Sequence, residues 1–316
     1  MARIFLAFIV FFSLAILPLA FSQTADKSFS INYNSAGLRI IEVRGGSLHH
    51  VWHVLKVFEE KYKHTNDFYS FNKSRPALAC HMDAYIACAI AENLGCPLYI
   101  VHVAVGDVVE VANYFRARGN TVYMETSARH LMIDDKGTKL KEPILALSMP
   151  GYMPRENQAQ LWKGLGNNEV NTIGTDSGAL KRADKLKKPI NVWKMPIGWQ
   201  ELPTSLAMML SEGVNKKRIT LPQLVGYMST NAAKIFDIFP KKGAILPGSD
   251  ADITIVDLNK KQVVRPEDYP SWGDYTPYEG WELKGWPVLT MVRGKVVMED
   301  GKVFDAPGWG RPVNLE

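Results

Sequence analysis

Pro97-Leu98-Tyr99-Ile100-Val101-His102-Val103 is a continuous apolar run carrying a single histidine, and Thr121 to Glu125 is a second short strand-like stretch. Between them, Asp107 to Arg118 has the apolar spacing of an amphipathic helix and stops at Gly119. Strand, helix and strand in about 30 residues make a β-α-β unit, whose crossover requires parallel strands. A fully apolar first strand fits burial on both faces of such a sheet.

The same alternation continues outward. Upstream, Arg39 to Val43 reads as a strand closed by Gly45-Gly46, Leu48 to Tyr62 as a helix, and the segment around Ser74-Arg75-Pro76 as a polar loop. Leu78 to Leu94 is an Ala-rich helix stopped by Gly95. Downstream come a helix at Arg155 to Leu165, a strand at Val170 to Asp176, and helices at Leu202 to Glu212 and Leu221 to Phe236. The order predicts an α/β barrel or open sheet. After Pro240 the character changes to short strands with tight turns: Ala251 to Asp257, Val288 to Val292, Lys295 to Glu299 and Lys302 to Phe304. These predict a separate antiparallel β unit.

Composition sets limits on function. With 47% hydrophobic and 22% charged residues, the chain buries a real core and lacks the signature of disorder. The formal charge of +5 is spread among acids and not gathered on one stripe, so nucleic acid is not expected as a partner. Met1, Ala2 and Arg3 precede an apolar run from Ile4 to Leu17, and Ala20 and Ser22 flank a cut before Gln23. This pattern predicts a cleaved signal peptide, a secreted protein and no membrane association afterwards. Cys80, Cys88 and Cys96 lie eight residues apart on one helical stretch, roughly 12 Å per step, so they cannot bridge each other. Asn72-Lys73-Ser74 is a glycosylation acceptor in a segment read as polar loop.

Two residues stand where an α/β sheet presents its chemistry. His102 is near the carboxyl end of its strand, and Asp176 ends another before the glycine-flanked turn at Ser177-Gly178. His49 and His53 have the i, i+4 spacing of a zinc clamp, but His50 stands where a metalloprotease needs glutamate. A phosphate loop, a dinucleotide fingerprint and a serine nucleophile elbow are all missing from the sequence.

Longer stretches carry a resemblance. Pro97 to Val103, Val122 to Thr126, Pro154 to Leu165, Ile173 to Asp176, Ser229 to Phe236, Pro247 to Asp252 and above all Tyr275 to Val288 resemble the dihydropyrimidinase and hydantoinase family of amidohydrolases. The family implies a TIM-type barrel with a small β-sandwich, two zinc ions and hydrolysis of cyclic amides. By resemblance His102 matches the sixth-strand histidine ligand, and Asp176 matches the last-strand aspartate that acts as ligand and proton shuttle. The fifth-strand histidine falls loosely at Glu42, and Ser177 stands where the family has a histidine. Ile197 replaces the amide of the family's Asn-Gly segment. The His-x-His pair and the carboxylated lysine belong to a part of the barrel this chain does not match.

The expectation is therefore an α/β chain with the C-terminal half of a TIM-type barrel, followed by a small antiparallel β-sandwich segment. Its divisions are a signal peptide at 1–22, a divergent lead-in at 23–74, the partial barrel at 75–240 and the β segment at 241–316. Two secure ligands fall short of a binuclear zinc centre, which implies impaired or absent catalysis and a binding or extracellular structural role. The competing expectation is an active metal-dependent hydrolase of C–N bonds in cyclic amides. An open half-barrel predicts a homo-oligomer or another chain covering it.

Overall fold

The computed structural model describes residues 4–6, 29–33, 39–43, 49–304 and 308–313, with side chains from His53 onward. The remaining leader residues, and the side chains of Glu42, His49 and His50, lie outside the described residues. The elements run β1 (Ile4–Leu6), β2 (Phe29–Tyr33), β3 (Arg39–Val43), α1 (His49–Tyr62), α2 (Phe68–Lys73), α3 (Ala77–Leu94), β4 (Leu98–Ile100), α4 (Asp107–Ala117), β5 (Val122–Ser127) and α5 (Ala128–Met132). They continue with α6 (Arg155–Gly166), β6 (Thr172–Gly174), α7 (Arg182–Lys185), α8 (Leu202–Met208), α9 (Leu221–Val225) and α10 (Asn231–Ile235). The last strands are β7 (Ile253–Val263), β8 (Glu282–Val292), β9 (Lys295–Glu299) and β10 (Lys302–Val303).

Two sheets organise these elements. The first has the order β2-β3-β4-β5-β6, with β3 to β6 parallel and β2 antiparallel on the edge. The second, β1-β7-β8-β9-β10, is antiparallel throughout. Each parallel step is made by a helix that has an apolar face to bury. On α4 that face is Val108, Val109, Val111, Ala112 and Phe115, and all five are buried. On α3 the helix ends at Gly95, whose φ of +62° lets its amide bond back to the Ala91 and Glu92 carbonyls. Beneath the sheet's carboxyl edge, Tyr99 of β4 reaches across two strands to Glu125 (2.9 Å) and Thr172 (2.7 Å).

Several expectations change. The loop before Arg75 contains α2, started by Asp67, whose carboxylate accepts from the Ser70 amide at 2.9 Å. Asn72 is buried there. Its side-chain nitrogen donates to the Asp135 carbonyl at 3.2 Å and its oxygen accepts from the Tyr152 amide at 3.0 Å, so the folded chain has no room for a glycan on it. The extended lead-in contributes β2. The two long helices after Leu202 are each interrupted by wide π turns, at Met209–Val214 and Gly226–Thr230. Strands β7 and β8 each run to eleven residues, well past the predicted limits. Ile4–Leu6, inside the stretch read as a leader, pairs with β7. The three cysteines are free, as expected, and Cys88 is fully buried. No helix among the described residues is long and apolar enough to cross a membrane.

Candidate active site

His102 and Asp176 sit just beyond the carboxyl ends of β4 and β6, on the same edge of the parallel sheet. Both have left-handed backbone, φ +41° and +43°, a conformation that costs a non-glycine residue about 1 kcal/mol or more. Asp and His tolerate that geometry better than most residues, as Asp237 and Asp300 also show. It is imposed by the surrounding packing, and such positions concentrate at functional sites.

The residues around Asp176 explain how the turn is held. Arg129 of α5, 2% exposed, donates from Nη2 to the Thr175 and Asp176 carbonyls, the latter at 2.9 Å. Its Nε bonds Glu201 Oε2 at 2.5 Å, and its backbone amide bonds Glu201 Oε1 at 3.1 Å. Glu201 has no solvent exposure, so the two buried charges depend on each other. Burial alone would lower the Arg129 pKa, but the Glu201 carboxylate raises it above its ordinary value, and the guanidinium stays charged. Tyr278, from the connection between β7 and β8, donates to Glu201 at 3.3 Å, and the indole of Trp199 lies 4.4 Å from the guanidinium carbon.

His130, also on α5, is buried with Nδ1 3.0 Å from Ser127 Oγ. Burial, then the charge of Arg129, then His102 push its pKa well below the usual value, so its imidazole is neutral at pH 7. Asp83 of α3 shares with His102 the lining of a cavity of about 20 Å³ between α3 and β4. Arg129, Glu201 and Asp83 stand in no recognisable sequence motif. A charged residue inside the apolar stretch from Ser127 to Ile133 is the one available signal for Arg129.

The expected ligands are only partly assembled. His102 and Asp176 share the sheet edge. Glu42, by contrast, stands in register with Tyr99, three residues or about 10 Å short of His102 along the strands. That register argues against Glu42 as a third donor at the edge. His53 is exposed on α1. An imidazole and a carboxylate suit zinc in chemistry, yet among the described residues no three His, Cys, Asp or Glu side chains gather closely enough to hold an ion. Ile197, which stands where the family's Asn-Gly segment has its amide, is exposed.

The sequence profile of the amidohydrolase family matches residues 83–297, which takes in both His102 and Asp176. The chain belongs to the amidohydrolase family. Among its relatives, the L-hydantoinase of Paenarthrobacter aurescens is 35% identical over 247 residues, covering 78% of this chain and 54% of that protein. The D-hydantoinase of Geobacillus stearothermophilus is 34% identical over 232 residues, covering 72% of this chain and 49% of its own. Among solved amidohydrolase structures, the L-hydantoinase (dihydropyrimidinase) from Arthrobacter aurescens superposes with a TM-score of 0.79 at 33% identity, covering 86% of this chain and 60% of that one. A D-hydantoinase crystal structure gives 0.79 at 30% identity, with coverage of 86% and 59%. The chain thus spans about half the length of the curated amidohydrolases it matches. The α/β class, with one largely parallel and one antiparallel sheet, agrees with the expectation from the sequence, and the chain superposes on hydantoinase structures.

Proposed function

We propose that this amidohydrolase opens cyclic amides of the hydantoin or dihydropyrimidine type by hydrolysis of a ring C–N bond, using His102 and Asp176 as metal ligands. The observation that carries this reading is the pair of left-handed residues, His102 and Asp176, at the carboxyl ends of two strands of one parallel sheet. Its support is the hydantoinase relatives, whose similarity runs through both positions.

A zinc ion held there would polarise the ring carbonyl and make a bound water more acidic. The chain's own residues supply the rest. His102 would offer an imidazole nitrogen, and the half-exposed Asp176 carboxylate would serve as ligand and carry a proton from the attacking water to the leaving nitrogen. Neutral His130 adds no charge beside the ligands. The reading includes a half-barrel whose missing ligands come from a second copy or another chain laid against the open edge, so the active form is an assembly. It also includes export, with cleavage before Gln23 removing β1 and leaving β7 as the edge of the antiparallel sheet.

A second reading, a binding protein that has kept the fold and lost the chemistry, is favoured by one observation, the lack of a three-ligand group among the described residues. One experiment separates them. Purified protein is expected to carry zinc and to open hydantoin or dihydrouracil, with turnover abolished by Asp176→Asn. Metal-free protein that opens neither ring, even after zinc is added, would leave the binding role.

A further inference from the structure

Four polar groups close a ring around the Asp176 turn. Arg129 Nη2 takes the carbonyls of Thr175 and Asp176. The Arg129 Nε and amide grip Glu201. The Glu201 backbone amide donates to Ser177 Oγ at 3.0 Å, and the Gly178 amide bonds the Trp199 carbonyl at 3.1 Å. The turn is therefore held on one side by the Arg129 guanidinium, itself gripped by the Glu201 carboxylate, and on the other by bonds to the main chain of residues 199 and 201. A planar fork of five donors can serve the two carbonyls and the carboxylate at once, which an ammonium cannot.

We propose that Arg129 is a positioning residue for Asp176, fixing the β6 exit turn through its main-chain carbonyls while leaving the Asp176 carboxylate available for metal and proton transfer. Arg129 Nη1 lies 3.7 Å from Asp176 Oδ2, beyond hydrogen-bond reach, and the Asp176 side chain is about half exposed. The guanidinium therefore hydrogen-bonds the backbone of residue 176 and meets its carboxylate only as a long ion pair, without a hydrogen bond to it. A left-handed aspartate persists only where its surroundings over-determine it, and the two carbonyl bonds from Arg129, backed by the buried Glu201, provide that constraint. Glu201 follows as the anchor that orients Arg129, reached across 72 residues of sequence.

This role rests on the hydrolase reading, and its test separates the two. Arg129→Ala in the full chain is compared with the charge-balanced double variant Arg129→Met/Glu201→Met, which keeps the measurement readable if the single variant does not fold. Hydrogen exchange at the amides of residues 175–178 is expected to quicken by about tenfold or more, with little change in β4 and β5. With hydantoin as substrate, kcat is expected to fall by about 100-fold while KM stays within about twofold, the pattern of lost positioning. Millimolar guanidinium is expected to restore part of kcat to Arg129→Ala. Unchanged exchange in the turn overturns the proposal, and so does a loss carried by KM alone. A wild-type protein that opens no ring removes the hydrolase reading, and the exchange measurement then decides the role of Arg129.

Discussion

Lys185 Nζ donates to the Gly198 carbonyl at 3.2 Å and to the Leu145 carbonyl at 2.7 Å, joining three segments through one buried amine. The amine lies 5.8 Å from the Trp199 ring and 5.6 Å from the Tyr275 ring. Burial first, and the charge of Arg129 second, lower its pKa from 10.5 to about 7. In the unfolded chain the lysine keeps its ordinary value. Between pH 7 and about 8.5 the unfolded state therefore binds more protons at this lysine than the folded one, and stability is expected to rise with pH across that window. Above that the thiols of Cys80 and Cys88, both pushed by burial up to about 12, oppose the trend, and buried Tyr152 and Tyr278, whose values stand well above 10, reverse it in stronger alkali. Urea midpoints measured from pH 7 to 9.5 check this, and Lys185→Met is expected to flatten the slope.

Breaking the Arg129–Glu201 pair from one side leaves an unpaired buried charge. Glu201→Met or Arg129→Met alone is expected to cost about 3–5 kcal/mol, and the double variant Arg129→Met/Glu201→Met distinctly less than the sum of the two. A double-mutant cycle by chemical denaturation measures the difference. Additive losses would mean that the two side chains do not depend on each other.

Gly174, the last residue of β6, has no space for a side chain. A Cβ there would stand 2.4 Å from the Glu125 carboxyl carbon, the same carboxylate that accepts from Tyr99. Gly174→Ala is expected to push Glu125 aside and to cost about 1–3 kcal/mol. Thermal unfolding reports the loss, and Gly174→Ala combined with Glu125→Ala is expected to recover part of it.

Cys88 is fully enclosed between α3 and the sheet, and burial pushes its thiol up to about 12. Native protein at pH 8 is expected to leave Cys88 unmodified by a disulfide reagent, while denatured protein is modified there at once. Peptide mapping after labelling distinguishes it from the other two cysteines.

Sequence periodicity located the β4-α4-β5 unit because each element there carries its own signal: an apolar strand, a helix with one apolar face and a stopping glycine. The positions of His102 and Asp176 at strand ends were legible for the same reason. Arg129 was not, since its meaning depends on a glutamate 72 residues away that the local pattern does not mention. The place of Glu42, level with Tyr99, is not legible because strand register depends on pairing and not on composition. The six-residue α2 escaped notice because it is too short to show periodicity, although Asp67 is a legible cap. The π turns that interrupt the two later helices have no marker in the sequence that we can name.

Tyr275 donates to the Gly198 carbonyl at 2.6 Å, and Tyr278 reaches Glu201, so the segment between β7 and β8 inserts two fully buried phenols beneath the candidate active site. The change at Pro240 is therefore a boundary of topology but not of cooperativity. Cutting the chain there would remove the inner wall of the site, and the two sheets are expected to melt as a single unit.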